Sequence, residues 1–341
     1  MGGKLVTAPY VDPHLHLDYV YTLSELGQEE AGSGTLFEAI EMWPKFKKNL
    51  TVESVKNLAL KGIRDEVSQG VQNIRTYIDV TDPNFPALKA MLEMKQELKD
   101  IVKIQIVEFP QEGMYTYKCG RDLVEEALKM GADIVGGIPH YEPVREFCEK
   151  SVHDIVKLDL KYDKLIDVHC DETDDVQSRF VELFNALVLM EDYGTRTTAS
   201  HTCSFGSADN SYAYRKIDLF KKSKMNFISP PTENAYLQGR QDSYPKRRGL
   251  TRVKEFIESG INVAFAQDSI NEPRYPMGNG NMMNILDNRI HFAQMMSPKE
   301  IETNSDLFTA NGVLASIRKG EFLFKQKTVE YEVKLDLDVN N

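Results

Sequence analysis

Lys164-Leu165-Ile166-Asp167-Val168-His169-Cys170-Asp171-Glu172-Thr173 opens on apolar and β-branched residues and closes on a run of polar ones. Leu165 to His169 therefore reads as a short strand buried on both faces, and His169 to Glu172 as the loop into which it runs. A buried strand has no structural need for an imidazole and carboxylates at its tip. Their presence there points to a ligand and a proton carrier, and to a fold that gathers strand ends into one place.

Similar apolar runs recur along the chain: Leu5 to Val11, Gln72 to Val80, Lys103 to Phe109, Asp133 to Ile138, Arg196 to His201, Met225 to Ser229 and Asn262 to Ala266. Apolar residues at helical spacing separate them, over Val52 to Ser68, Pro86 to Leu98, Arg121 to Met130, Pro143 to Lys161, Asp174 to Tyr193, Tyr212 to Lys222, Thr251 to Glu258 and Met282 to Met296. Gly70, Gly131, Gly194 and Gly260 sit where helix C-caps belong. Strand and helix alternate with no hairpin dipeptide between strands, which favours a parallel sheet. Eight such units within about 290 residues are the measure of a (β/α)8 TIM barrel, with an open doubly wound sheet as the alternative.

The chain has 341 residues, 41% of them hydrophobic, enough for a substantial core. Its net charge of −11 disfavours an electrostatic partnership with nucleic acid, and Lys246-Arg247-Arg248 reads as a solvated loop. The expected partner is a small molecule; the sequence is compatible with a homo-oligomer. No apolar run approaches the roughly 18 residues of a membrane span, and MGGKLVTAPY carries neither a signal-peptide core nor a myristoylation pattern, so a cytoplasmic location is expected. Cys119, Cys148, Cys170 and Cys203 show no C-x-x-C spacing, which argues against a cysteine zinc site or a disulfide framework.

Chemistry in a barrel gathers at the C-terminal ends of the strands. Five of the seven histidines stand there: His14 and His16 after the first strand, His140 after the fourth, His169 at the fifth and His201 at the sixth. His153 and His291 fall inside helices. The third strand ends Phe109-Pro110-Gln111-Glu112 and the eighth Gln267-Asp268-Ser269. In extended chain, residues i and i+2 share a side, so both imidazoles of His14-Leu15-His16 can converge on one ion. Two histidines from one strand, a third from another and an aspartate form a mixed N/O set suited to Zn2+ or Fe2+, leaving a position for water. Glu172, three residues past His169 and on the loop, fits a proton carrier. Asp171, Asp174 and Asp175 are better read as loop carboxylates or as negative charge at the start of the next helix. The fourth strand ends GGIPH without the lysine that bridges many two-metal barrels, so one divalent ion is expected.

With these residues assembled, the chain resembles the amidohydrolase superfamily and, more narrowly, barrel-type bacterial cytosine deaminases. The resemblance rests on SGTLFEAIEMW (Ser33 to Trp43), ALKAMLEMKQE (Ala87 to Glu97), IVEFPQEG (Ile106 to Gly113), LIDVHCDE, QSRFVE (Gln177 to Glu182), TASHT (Thr198 to Thr202) and QGRQDSYPKRRGLTRVKE (Gln238 to Glu255). It implies hydrolytic deamination of cytosine to uracil and ammonia, with a related cyclic amidine (creatinine, 5-methylcytosine or isocytosine) or an inactive truncated homologue as alternatives. It implies that His14, His16, His169 and Asp268 hold one Fe2+ or Zn2+, with Asp268 also taking a proton from the attacking water. Glu172 would carry a proton to the ring nitrogen, and His201 would stand beside the metal without binding it. Gln111 would hold the pyrimidine's carbonyl and ring N–H, one acceptor and one donor for that edge, with Phe109 and His140 on the same substrate side.

Two departures from the family bear on expectations. Ser269 and Arg274 stand where the resembled enzymes carry an aspartate and a tryptophan: a small neutral Ser269 would admit a ring substituent, and Arg274 would place a positive charge at the pocket mouth. The family's small β-sandwich is expected to be reduced to a C-terminal β remnant at 313–341, following a catalytic barrel over 1–312.

Overall fold

A computed structural model describes residues 8–26 and 34–300. Eight parallel strands stand in sequence order: β1 (Tyr10–Leu15), β2 (Val71–Asp79), β3 (Lys103–Phe109), β4 (Ile134–Val135), β5 (Leu165–Cys170), β6 (Thr197–His201), β7 (Asn226–Ser229) and β8 (Val263–Phe265). Just past β8 the sheet meets its own first strand. Asp268 N–H donates to His14 O at 2.8 Å and His16 N–H to Asp268 O at 3.1 Å, and the carboxylate of Asp12 accepts from Gln267 N–H at 3.2 Å. The fold is the (β/α)8 barrel that the alternation of patterns predicts.

Side chains alternate between two environments along each strand, as the pleat requires. Ile74 and Ile78 of β2, Ile104 and Ile106 of β3, and Ile166 and Val168 of β5 join the main core between barrel and helices, with Val55, Ala59, Leu88, Met91, Ile155 and Phe184. Their neighbours Tyr77, Val107, Phe109 and Leu165 form a separate cluster. Burial of each large apolar side chain contributes about 1.5–3 kcal/mol. The same alternation sets Asp167 and His169 in line with Leu165, so one strand lifts a carboxylate and then an imidazole towards its C-terminal end.

The helices are α1 (Leu23–Leu26), α2 (Leu36–Lys47), α3 (Val52–Ser68), α4 (Pro86–Glu97), α5 (Gly120–Met130), α6 (Arg145–Tyr162), α7 (Phe180–Met190), α8 (Cys203–Gly206), α9 (Asn210–Ser223), α10 (Pro231–Leu237), α11 (Val253–Glu258) and α12 (Met282–Phe292). Capping side chains fix several starts: Thr51 and Ser54 form a reciprocal box on α3, and Asp209 accepts from Tyr212 N–H on α9. Gly70, Gly131 and Gly260 follow helices with positive φ, as read from the sequence. Gly194 does not: it begins a 3-10 turn, and its lack of a side chain lets Ser223 O approach to within 1.6 Å of where a Cβ would lie.

Several boundaries differ from the sequence reading, among them the end of α12, at Phe292 rather than Met296. The first strand continues through Asp12-Pro13-His14 to Leu15, so His14 lies within it. The fourth stops at Val135, because Gly136 passes so close to Glu108 O that a Cβ would meet it at 2.0 Å. The helix expected from Asp174 begins only at Phe180. α1, α2, α8 and α10 were not anticipated at all. The proposed β remnant at 313–341 lies outside the described residues, as does the end of the barrel domain beyond 300. No helix among the described residues is long and apolar enough to cross a membrane.

Candidate metal centre and active site

His14, His16, His169, His201 and Asp268 come together at the C-terminal end of the barrel, all at most 2% exposed. His169 Nε2 lies 3.2 Å from His14 Nε2 and 3.1 Å from His16 Nε2, and Asp268 Oδ1 lies 3.5 Å from each of the latter two. A tetrahedral ion with bonds of about 2.0–2.2 Å would hold neighbouring donors about 3.3–3.6 Å apart. The observed spacings, from 3.1 to 3.5 Å, lie close to that cage. Burial, reinforced by neighbouring positive groups, pushes the pKa of every one of these imidazoles well below the usual histidine value, so they are neutral, the form that binds metal. Both oxygens of Asp268 are buried without a hydrogen-bond partner. Converging lone pairs and an unpaired buried carboxylate are costly unless a cation joins them. The residues present therefore fit a divalent ion.

His201 lies within donor reach of His14 and His169 but is engaged differently. Its Nε2 is 3.8 Å from Asp268 Oδ2, while Asn234 Nδ2–H donates to its Nδ1 at 3.0 Å. That bond leaves the ring proton on Nε2, facing Asp268, which fits a place beside an ion better than one among its ligands. Backbone geometry helps to aim these groups. His201, Thr202, Asp268 and Asp171 all have left-handed φ, between 47° and 68°, an uncommon conformation for residues other than glycine that bends the chain sharply at the strand tips.

Glu172 is buried, with Oε1 3.3 Å from His201 Nδ1. Burial, then the nearby Glu233, drives its pKa well above the ordinary carboxyl value, against the pull of Arg274. A carboxyl whose pKa is raised in this way is better suited to give a proton away than an ordinary one. Asp171 has a different job: it accepts from Ser178 Oγ at 2.7 Å and from Phe180 and Val181 N–H at 3.0 and 2.8 Å, so it caps α7, as its reading as helix-start charge anticipates.

Gln111 is buried with Oε1 unpartnered, and burial of the His140 ring nitrogens pushes its pKa down to about 3, against a backbone hydrogen bond with His169. Phe109 is fully buried and stacks on His169, centroids 4.1 Å apart, so its ring backs a histidine. Arg274 is not at the pocket mouth. Only 3% exposed, it binds Glu272 at 3.1 Å and lies over the Tyr19 ring, 4.3 Å from the centroid. Ser269 is buried and donates its hydroxyl to Glu233.

Glu233, Asn234 and Glu272 are candidate site residues that the sequence reading missed. The first two follow β7 directly, in Ser229-Pro230-Pro231-Thr232-Glu233-Asn234, and the rule that chemistry gathers at strand ends would have found them had it been applied there.

Comparison with known proteins places this geometry. Residues 80–316 match the model of the Amidohydrolase family. The chain is 31% identical over 290 residues to N-isopropylammelide isopropyl amidohydrolase of Pseudomonas sp. (strain ADP), covering 82% of this chain and 67% of that protein. It is 25% identical to the pterin deaminase of Rhizobium rhizogenes (strain K84 / ATCC BAA-868) over 82% of its length and 63% of the relative's. Among solved structures, 5-methylcytosine deaminase from Klebsiella pneumoniae liganded with 5-fluorocytosine is 48% identical, with a TM-score of 0.89 over 91% of this chain and 74% of that one. This chain thus spans about two-thirds to three-quarters of the length of these relatives. Family model, identity and site geometry agree: the chain belongs to the amidohydrolase family, hydrolases that act on C–N bonds.

Proposed function

We propose that this protein is a metal-dependent hydrolytic deaminase of a cyclic amidine, most suited to a 5-substituted cytosine, with cytosine itself as a second substrate. The observation that carries the reading is the convergence of His14, His16, His169 and Asp268 at ligand spacing beside a buried Glu172. Support for the ring comes from the 48% identity to 5-methylcytosine deaminase and from Ser269, smaller than the family's aspartate.

His14, His16, His169 and Asp268 would hold one Fe2+ or Zn2+. Such an ion, when bound, lowers the pKa of water and so supplies a nucleophile near neutrality. Asp268, otherwise unpaired, takes the proton that water loses on adding to the amidine carbon. Glu172 gives its proton to the ring nitrogen next to that carbon, which localises the electrons of the C=N bond. His201, held by Asn234, directs Nε2–H towards the oxygen side of the carbon. On collapse, Asp268 passes the water's proton to the amino group, which leaves as ammonia, while Glu172, now a carboxylate, takes back the proton that the new hydroxyl loses, and the ring keeps a carbonyl. Gln111 meets the ring's carbonyl and N–H with its amide.

The test is ammonia release by the metal-loaded protein from cytosine, 5-methylcytosine, isocytosine and creatinine. Higher kcat/KM on 5-methylcytosine than on cytosine is expected, and Ser269→Asp should reverse that preference by about tenfold, the scale of one methyl group in a pocket. No ammonia from any of the four would sink the proposal.

A further inference from the structure

Behind His14, inside the barrel, runs a chain of polar contacts across five strands. His14 Nδ1 lies 3.1 Å from Ser200 Oγ, Ser200 Oγ lies 2.8 Å from Asp167 Oδ1, and Arg75 Nη1 reaches Asp167 Oδ2 at 2.5 Å. Gln105 Oε1 accepts from Arg75 Nε and Nη2 at 3.3 and 3.2 Å, and the Tyr77 hydroxyl lies 3.2 Å from the same Ser200 oxygen. Arg75, Tyr77, Asp167, Ser200 and His14 are each at most 1% exposed, so bulk water does not compete.

Counting protons gives this chain a direction. A serine hydroxyl has one hydrogen and two lone pairs, and a carboxylate facing a guanidinium can only accept. Ser200 therefore spends its hydrogen on Asp167. What it offers His14 is a lone pair, while the Tyr77 hydroxyl also bonds Asp167. His14 Nδ1 must then be the donor, which leaves Nε2 bare and aimed at His169 Nε2 and Asp268 Oδ1. The Tyr77 ring, 3.9 Å from the imidazole centroid, fixes the plane. His16 and His169 differ, since their Nδ1 atoms have no hydrogen-bond partner among the described residues.

We infer that Arg75, Asp167 and Ser200 are positioning residues that lock His14 in the tautomer able to bind an ion, so that this one ligand is set by the barrel interior before any metal arrives. This rests on the reading that His14 is a metal ligand. It also explains why charged residues occupy an interior that apolar side chains could fill.

The experiment measures Zn2+ affinity of the purified, metal-free full chain by competition with a chromophoric chelator, alongside thermal unfolding of each metal-free variant. Ser200→Ala should weaken binding about 10- to 100-fold, the usual cost of losing a partner behind a metal-bound histidine, with a melting temperature close to the parent's. Asp167→Asn should weaken it further: an amide can donate to Ser200, which frees the hydroxyl hydrogen to point at Nδ1 and favours the wrong tautomer. In a Ser200→Ala background, Asp167→Asn should add nothing. Tyr77→Phe should cost less than Ser200→Ala. Should Asp167→Asn not fold, Ser200→Ala against the parent decides alone. A parent that binds tightly and a Ser200→Ala variant within about twofold of it would overturn the relay only; a parent that binds no Zn2+ overturns the metal reading and the relay with it.

Discussion

The two sides of the site solve opposite electrostatic problems. On the ligand side, neutral imidazoles from β1 and β5 and the Asp268 carboxylate past β8 point unshared electrons at a common centre and lack a positive charge. On the other side, Glu233, Glu272, Ser269 and Tyr19 are already gathered about Arg274, which supplies that charge from within the chain. One side lacks a cation; the other carries its own. Glu172 stands between them, near His201 and opposed to Glu233.

That contrast can be broken most severely at Glu172. Glu172→Gln should lower turnover by about a thousandfold, within the usual range for a lost proton-transfer group, while metal content per chain stays at the parent's level. Loss of metal along with turnover would assign Glu172 to the ion-holding side instead. Arg274→Met tests the other half. Removing the cation strands buried Glu272 and Glu233, and stability to urea should fall by about 3–5 kcal/mol, whereas Zn2+ should still bind. A variant as stable as its parent would mean that the carboxylates are not balanced by Arg274.

A surface cluster sets the scale for both effects. Glu125 accepts from Lys161, Tyr162 and Arg121, which hold its pKa down to about 2. Because the folded value lies below the ordinary one, this cluster stabilises the fold above about pH 4.5 and ceases to do so as pH falls towards 2. Glu125→Gln should therefore cost about 1 kcal/mol or less at pH 7, and the difference should vanish near pH 2. Measured by unfolding across that range, it shows how much smaller an exposed pairing is than the buried one around Arg274.

The division between the two sides is also the division between what the sequence discloses and what it conceals. His14, His16, His169, His201 and Asp268 were legible because each follows an apolar run, and a polar residue at the end of a buried strand is conspicuous. Glu233 was not. It sits in a seven-residue helix that opens on Pro230-Pro231, where glutamate ordinarily faces water, and only the folding of that segment over the barrel end buries it. Arg274 misled for the same reason, since a charge in a loop reads as exposed until a partner such as Glu272 is found beside it. Among the elements, long periodic helices such as α3 kept their predicted limits, and β3 kept both of its ends. Boundaries failed where one side chain or one close approach overrode the pattern, as at Gly136, or in the polar stretch before α7.

That last stretch has a consequence for how the site is prepared. By closing the segment between β5 and α7 onto a single carboxylate, Asp171 turns it into a short ring anchored at both ends. The conformational freedom of that ring is given up when the chain folds. Glu172, the first residue of the ring after its anchor, is thus ordered in advance, and an arriving substrate need not spend binding energy to bring it into place.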